Sequence, residues 1–110
     1  SDVQTVLKVR SRMKDFGITQ ENCRFIPYWD KERRLKVTGG DFLCSYYCLP
    51  SKVMAVVSNQ GDAATAQLEF VPEQLGLSDQ CILKDGESGE RLENRRIAVP
   101  RHDFRLIVIE

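Results

Sequence analysis

The feature that most constrains the fold is a series of short apolar segments, separated by turn residues, that follows Gly17. In the clearest segment, "ATAQLEF" at 64–70, apolar and polar side chains alternate, which places Ala64, Ala66, Leu68 and Phe70 on one face of a strand. Turn signals recur about every eight to twelve residues, a spacing typical of antiparallel sandwiches. We therefore predict a mainly β fold, an antiparallel β-sandwich of about seven to eight strands.

The turn residues between these segments predict how neighbouring strands connect. "KVMAVVSN" at 52–59 is nearly all apolar, as expected for a central strand covered on both faces. The segment ends in a turn at 59–62. Asn59 and Gly61 in this turn tolerate positive φ angles, so we predict that the strands on either side pair as an antiparallel hairpin. "VPEQLGL" predicts a single helical turn that begins at Pro72 and is closed by Gly76.

The first part of the chain has a helical period instead, and residues 2–16 predict one α-helix. Asp2 is a suitable N-cap, Gly17 suits a left-handed C′ residue, and Ile18 can supply the apolar contact that often accompanies it. Apolar side chains recur along the helix at steps of three and four residues. We expect Val3, Leu7, Met13 and Phe16 to pack against a partner, which is either the rest of this domain or a neighbouring one. The predicted division is a helix at 1–17, a linker or the end of a preceding domain, and a sandwich at 18–110.

Charge and hydropathy argue against two classes of partner. Sixteen basic residues balance sixteen acidic ones, so no net charge favours a nucleic acid or an anionic membrane. No apolar run approaches the roughly 20 residues that a membrane-spanning helix needs, and the polar start does not resemble a signal peptide. The basic run at 31–34 is interrupted by Glu32 and is interpreted as a solvated turn. We expect neither nucleic acid nor a membrane as a partner.

The four cysteines do not have the spacing of a metal site. Cys44 and Cys48 share one face of a predicted strand about 13 Å apart, which is too far for a disulfide within that strand. No CxxC pair occurs, and the single histidine is distant in sequence. We expect no bound metal and interpret the thiols as small buried hydrophobic groups. Pairing with Cys23 or Cys81 stays open.

Catalytic patterns are also missing. The acidic residues fall on predicted turns or strand edges, and no GxSxG, P-loop, HExxH or GxGxxG motif occurs. His102 and Asp103 are adjacent in a predicted strand and would point to opposite faces. We therefore assign no catalytic residue and no cofactor, and predict that this chain by itself is not an enzyme.

The segment "RFIPYWD" at 24–30 holds three aromatic residues, including the only tryptophan. We expect Phe25 to enter the sandwich core, with Tyr28 and Trp29 near a seam with a neighbouring domain. If the Trp29 ring is in the core, its truncation to alanine should cost about 3 kcal/mol. The alternative is a carbohydrate site, in which sugar rings stack on aromatic side chains. Its candidate residues are Tyr28, Trp29, Asp30 and Tyr47, the last because one of two adjacent strand tyrosines must face outward.

Several phrases of the chain resemble the C-terminal β-sandwich of large bacterial glycoside hydrolases with a (β/α)-barrel catalytic domain. They are "VLKVRSRMKDFGI", "FIPYW", "VMAVVSNQGDAATAQLEF", "LGL", "DGESGERL" and "VPRHDFRLIVIE". The positions that match the family's turn and last-strand phrases are Asn59, Asp85, Ser88, Gly89, Glu90, Pro100, Asp103, Phe104, Arg105 and Leu106. The closest likeness is to glycoside-hydrolase-like proteins of poorly characterised function.

This resemblance implies a non-catalytic accessory domain that packs against the catalytic domain of the same parent chain. The family's catalytic carboxylates lie in its barrel, so none is carried onto this sequence. The resemblance further implies that the first helix is the last barrel helix or a linker helix, and that the parent is a secreted or periplasmic bacterial protein. The alternatives are a carbohydrate-binding module and an immunoglobulin-like protein-interaction module.

Overall fold

The computed structural model describes residues 3–110 and shows a mainly β fold, one helix followed by nine strands in two antiparallel sheets. This confirms the predicted sandwich-like architecture. The helix α1 spans Val3–Phe16. The strands are β1 Arg24–Ile26, β2 Leu35–Thr38, β3 Phe42–Leu49, β4 Lys52–Asn59, β5 Ala64–Phe70, β6 Leu83–Asp85, β7 Arg91–Leu92, β8 Arg96–Val99 and β9 Phe104–Ile109. A 3₁₀ turn at Pro72–Leu75, ended by Gly76, lies where one helical turn was predicted.

The two sheets differ in size. Six strands form one sheet in the order β1-β3-β4-β9-β6-β7, and three form the other in the order β2-β5-β8. The main core lies between the two sheets. It is built from the side chains that face inward at alternate positions along the strands. Its most deeply buried members include Leu35, Val53, Ala55, Val57, Ala66, Leu68, Val99, Ile107 and Ile109.

The strand β4 is central, as its apolar sequence predicts. It pairs with β3 on one side and β9 on the other. Val53, Ala55 and Val57 face the main core, whereas Met54 faces the opposite side of the sheet and is equally buried there. Because both faces of β4 are covered, its residues need no alternation of apolar and polar side chains.

The predicted hairpin between β4 and β5 is wrong, because the two strands belong to different sheets. The strand β5 pairs with β2 and β8, whereas β4 pairs with β3 and β9. The chain therefore crosses from one sheet to the other between Asn59 and Ala64. Alternation in "ATAQLEF" correctly places Ala66, Leu68 and Phe70 inward, but it does not specify the neighbouring strand.

The carboxyl end of α1 has the predicted closure. Gly17 has a φ of 110°, its N–H donates to the Lys14 carbonyl at 3.0 Å, and the N–H of Ile18 donates to the Met13 carbonyl at 3.4 Å. This pair of bonds is a Schellman motif, and the Ile18 side chain packs against the neighbouring apolar cluster. Asp2, the expected N-cap, lies outside the described residues.

The helix packs on the outer face of the six-stranded sheet and closes a second apolar cluster. Phe16 is buried there with Leu49, Met54 and Leu106, and Met13 is half-buried beside them. Of the two partners expected for Phe16, the rest of this domain or a neighbouring one, the structure shows the first, because Phe16 packs on this domain's own sheet. Val3 and Leu7, by contrast, are 73% and 54% exposed.

The strand β1 corrects the expectation for Phe25. Phe25 pairs with Tyr47 in register, and Ile26 pairs with the buried Tyr46. Since neighbouring residues of a strand face opposite sides, Ile26 packs against the core and Phe25 lies on the outer face, 49% exposed. The rings of Phe25 and Tyr47 contact each other with centroids 4.9 Å apart.

Candidate functional site

The most exposed aromatic group lies in a turn at Pro27–Asp30, which we name the aromatic turn. The N–H of Asp30 donates to the Pro27 carbonyl at 3.0 Å, so Tyr28 and Trp29 occupy the two central positions. The N–H of Tyr28 donates to the Ser45 hydroxyl at 2.9 Å, which ties the turn to β3. The turn therefore presents its two rings at the end of the edge strand β1.

The two rings of the aromatic turn contact each other edge to face. Their centroids are 4.9 Å apart and their planes meet at 89°. Trp29 is 67% exposed and Tyr28 is 41% exposed. Trp29 is therefore not a core residue of this domain. Its expected place near a seam with a neighbouring domain stays a prediction. A flat, exposed indole braced by a second ring can stack on the apolar face of a ligand.

Asp30 has a structural role in the loop that follows. One of its carboxylate oxygens accepts the N–H of Glu32 at 2.8 Å, and its carbonyl oxygen accepts Nη1 of Arg33 at 3.0 Å. The second carboxylate oxygen has no such bond among the described contacts of Asp30 and can accept a hydrogen bond from a ligand.

Of the two adjacent tyrosines of β3, one faces inward and the other outward, as expected. Tyr46 is buried, and its hydroxyl accepts the backbone N–H of Arg34 at 2.7 Å. Burial raises the pKa of the Tyr46 hydroxyl, and hydrogen bonds from the backbone of Arg34 and Leu35 oppose that rise. Tyr47 faces outward, where its ring contacts Phe25. The Tyr47 side chain also packs against the apolar cluster beneath α1. Of the four carbohydrate candidates, Tyr28, Trp29 and Asp30 are thus in one turn, and Tyr47 contacts a different ring.

Three clefts that share lining residues lie near the aromatic turn. The first, of about 290 Å³, has Tyr28 at its edge together with Arg33, Lys36 and Glu69. The second, of about 470 Å³, we name the basic cleft; its polar lining is Arg33, Arg34, Lys36, Gln67, Gln74 and Arg95, with Glu69. The third, of about 560 Å³, lies beyond Arg34 and Gln74 and includes Asp30 and Glu32.

This basic cleft was not predicted from the sequence. The run at 31–34 was interpreted as a solvated turn, and Lys31 and Glu32 are indeed exposed, but Arg33 and Arg34 line the clefts. Arg95 reaches the same place from the segment before β8. Only the pairing of β2 with β5 and of β5 with β8 brings these distant residues together.

The thiols are free, and the two in β3 are buried as predicted. Burial raises the pKa of Cys44 to about 12, and the Arg33 guanidinium opposes the rise. Burial also raises the pKa of Cys48, with the Arg24 guanidinium opposing it. A buried thiol with a raised pKa is a poor nucleophile, so neither residue has the environment of a catalytic cysteine.

His102 lies in an exposed turn rather than in the predicted strand. Its φ is 52°, and its N–H donates to the Gly61 carbonyl at 3.3 Å. The Asp103 carboxylate instead accepts the N–H of Phe104 at 2.8 Å and lies 3.9 Å from Arg105 Nη1. Between residues 3 and 110, no group of three or more His, Cys, Asp or Glu side chains could hold a metal ion. In the same range, no helix is long and apolar enough to cross a membrane.

Three residues that carry the resemblance, Asn59, Asp85 and Gly89, lie in or beside turns. The Asp85 carboxylate accepts the N–H groups of Glu87 and Ser88 at 2.8 and 2.9 Å, which shapes the turn between β6 and β7. Gly89 in this turn has a φ of 77°. Asn59 is only 2% exposed, and its side chain joins the crossover after β4 to the end of β8. These are structural roles.

Compared with protein-family models, with curated proteins and with solved structures, the chain has no match.

Proposed function

We propose that this chain is a non-catalytic accessory β-sandwich domain of a larger glycoside-hydrolase-like protein, where it packs against and stabilises the catalytic domain of the same parent chain. The observation that supports packing is an unpartnered apolar face on α1. The glycoside-hydrolase part of the proposal rests on the resemblance of the sequence phrases.

The helix has two distinct apolar sides. At about 100° per residue, the side chains that are buried or half-buried, Thr5, Val9, Met13 and Phe16, fall within an arc of about 80° that faces the sheet. Val3, Val6 and Leu7 occupy a separate arc of about 100°, and the centres of the two arcs are about 110° apart. These three are 73%, 41% and 54% exposed.

This second arc has the i, i+3, i+4 spacing by which a helix packs on a neighbour. It lies beside the sheet-facing arc, so a partner seated on it can also cover the outer face of the six-stranded sheet. That face carries the half-buried Tyr47 and the half-exposed Phe25. Each Val or Leu side chain that a partner buries contributes about 1.5–3 kcal/mol, so three are enough to fix the position of a docked domain.

The test uses the remainder of the parent chain, produced separately and titrated with this domain in a calorimeter. We expect saturable binding that the triple substitution Val3→Gln, Val6→Gln, Leu7→Gln weakens at least about 100-fold. The matched control is Lys8→Gln, Ser11→Gln, Arg12→Gln, which alters three exposed positions elsewhere on α1. Equal binding by both triple variants, or no binding by the unmodified domain, would overturn the proposal.

The exposure of Trp29 supports a second candidate function, a carbohydrate-binding module. The aromatic turn offers an exposed indole braced by Tyr28, and sugar rings stack on such surfaces through their C–H faces. Because Trp29 is the only tryptophan, its fluorescence reports directly on this site. We expect red-shifted emission and a saturable change with at least one glycan of a soluble panel. Emission that no glycan alters would leave only the packing function.

A further inference from the structure

The basic cleft concentrates positive charge on an otherwise neutral chain. Four cationic side chains line it, Arg33, Arg34, Lys36 and Arg95, and its only acidic residue is Glu69. The whole chain has sixteen basic and sixteen acidic residues, so the local excess comes from the arrangement of the fold. Ion pairs between described residues involve other cations, namely Lys84, Arg101 and Arg105.

Two of the guanidinium groups are held in place without being neutralised. Nη1 of Arg95 donates to the Phe70 carbonyl at 2.8 Å, and its Cζ lies 3.8 Å from the centroid of the Phe70 ring. Nη1 of Arg33 donates to the Asp30 carbonyl at 3.0 Å. A carbonyl oxygen orients a guanidinium but leaves its full charge, and one such bond uses only one of five N–H donors. These two side chains are therefore positioned for an anionic ligand.

The basic cleft is adjacent to the cleft that Tyr28 of the aromatic turn borders. It shares Arg33, Lys36 and Glu69 with the cleft whose edge is Tyr28. A ligand that occupies both clefts meets Tyr28 at one end and guanidinium groups at the other. The Trp29 ring contacts Tyr28 and lies outside the lining of both clefts. Along the cleft, Gln67 and Gln74 offer amide groups that suit hydroxyl groups.

We propose that the basic cleft and the aromatic turn together bind an acidic oligosaccharide, a chain of sugars that carry carboxylate or sulfate groups. A sugar ring stacks on the Tyr28–Trp29 pair, and the acidic groups accept hydrogen bonds from Arg33 and Arg95. Arg34 and Lys36 add positive charge to the same cleft. This proposal rests on the second function above, carbohydrate binding, and is independent of interdomain packing. A nucleic acid is the competing polyanion, and single-stranded DNA therefore serves as a comparison ligand in the test.

The test is a calorimetric titration of the protein with an oligogalacturonate of four to six sugars, with Trp29 fluorescence as a second readout. We expect saturable binding that weakens about tenfold or more in the double variant Arg34→Gln, Lys36→Gln. Both positions are exposed, so the fold should tolerate the change. The charge-matched control is Arg10→Gln, Arg12→Gln, two exposed positions on α1, and it should bind within twofold of the unmodified protein.

Three comparison ligands separate the alternatives. A neutral oligosaccharide that binds as tightly as the oligogalacturonate, with no effect of the double variant, would overturn the acidic assignment and keep carbohydrate binding. Failure of every glycan to bind would overturn both. A poly-glutamate peptide or single-stranded DNA that binds as tightly as the oligogalacturonate, with the same loss in the double variant, would show a general polyanion site and contradict the saccharide assignment.

Discussion

The side-chain amide of Asn59 donates to the carbonyl oxygen of Val99 at 3.1 Å, across 40 residues of chain. The same Nδ2 lies 2.8 Å from the Asp62 carbonyl and 3.2 Å from that of Pro100, and Oδ1 accepts the N–H of Gly61 at 2.9 Å. One buried side chain thus joins the crossover between the sheets to the end of β8. It explains why an asparagine stands at a position where a simple hairpin turn was predicted.

Substitution of Asn59 should be among the most destabilising polar changes in the chain. Asn59→Ala removes a buried bond to the Val99 carbonyl and three part-buried bonds, so we expect a loss of about 2–4 kcal/mol in the free energy of unfolding. Asn59→Asp should cost more, because a carboxylate would face three carbonyl oxygens. Urea unfolding measures both, with Gln60→Ala, at the exposed next residue, as the control. A loss below about 0.5 kcal/mol for Asn59→Ala would contradict this role.

Trp29→Ala should change stability little. The ring is mostly exposed, so we expect a loss of less than about 1 kcal/mol, well short of the 3 kcal/mol expected for a core ring. Tyr46→Ala is the buried comparison and should cost about 3–5 kcal/mol. Chemical denaturation of the two variants decides the matter. An equally large loss of unfolding free energy in both variants would show that the Trp29 ring is buried.

Gly39 should tolerate a side chain far less well than Gly89. Both have positive φ angles, 105° and 77°, so alanine is strained at either position. A Cβ at Gly39 would also overlap the carbonyl oxygen of Thr65, whereas a Cβ at Gly89 would meet no atom within 4 Å. We expect Gly89→Ala to cost about 1–2 kcal/mol and Gly39→Ala clearly more. Comparable unfolding midpoints for the two variants would show that overlap of a Cβ at position 39 with β5 does not add to the loss of stability.

Stability should fall at alkaline pH through Cys44. Its pKa rises from 9.0 to about 12 on folding, so the folded state holds the proton more tightly than the unfolded state. The contribution is complete below pH 9 and is lost as the pH rises toward 12. Between pH 7.5 and 10.5, we expect this thiol to remove about 2 kcal/mol of unfolding free energy. In Cys44→Ala, the same pH change should remove about 2 kcal/mol less unfolding free energy than in the unmodified protein. The same pH dependence in both proteins would contradict the burial of this thiol.

Local patterns predicted the parts of the structure that depend on local causes. Alternation in 64–70 identified the inward face of β5, and the position of Gly17 identified the end of α1. Strand partners depend instead on contacts between distant residues, which is why the pairing of β4 with β5 was wrong. Phe25 shows a related limit, since in a three-residue edge strand nothing local decides whether it or Ile26 faces the core.

The candidate sites divide in the same way. The aromatic turn is one contiguous segment, so Tyr28, Trp29 and Asp30 could be named from sequence, although the exposure of Trp29 could not. The basic cleft combines Arg34 and Lys36 with Arg95, which are adjacent only after β2, β5 and β8 have assembled. Likewise, the two apolar arcs of α1 appeared in the sequence as one stripe, because periodicity alone does not tell which side faces the sheet.

The measurement that tests the central claim most directly is hydrogen exchange along α1, in this chain alone and in the full-length parent protein. In the chain alone, amides near Val3, Val6 and Leu7 should exchange fast, because they lie in the first turns of a helix whose outer arc has no partner. In the parent protein, the account predicts that the same amides are strongly protected and that peptides from β5, on the other sheet, are unchanged. Identical exchange of the helix in both proteins would contradict the proposal that this face packs against a neighbouring domain.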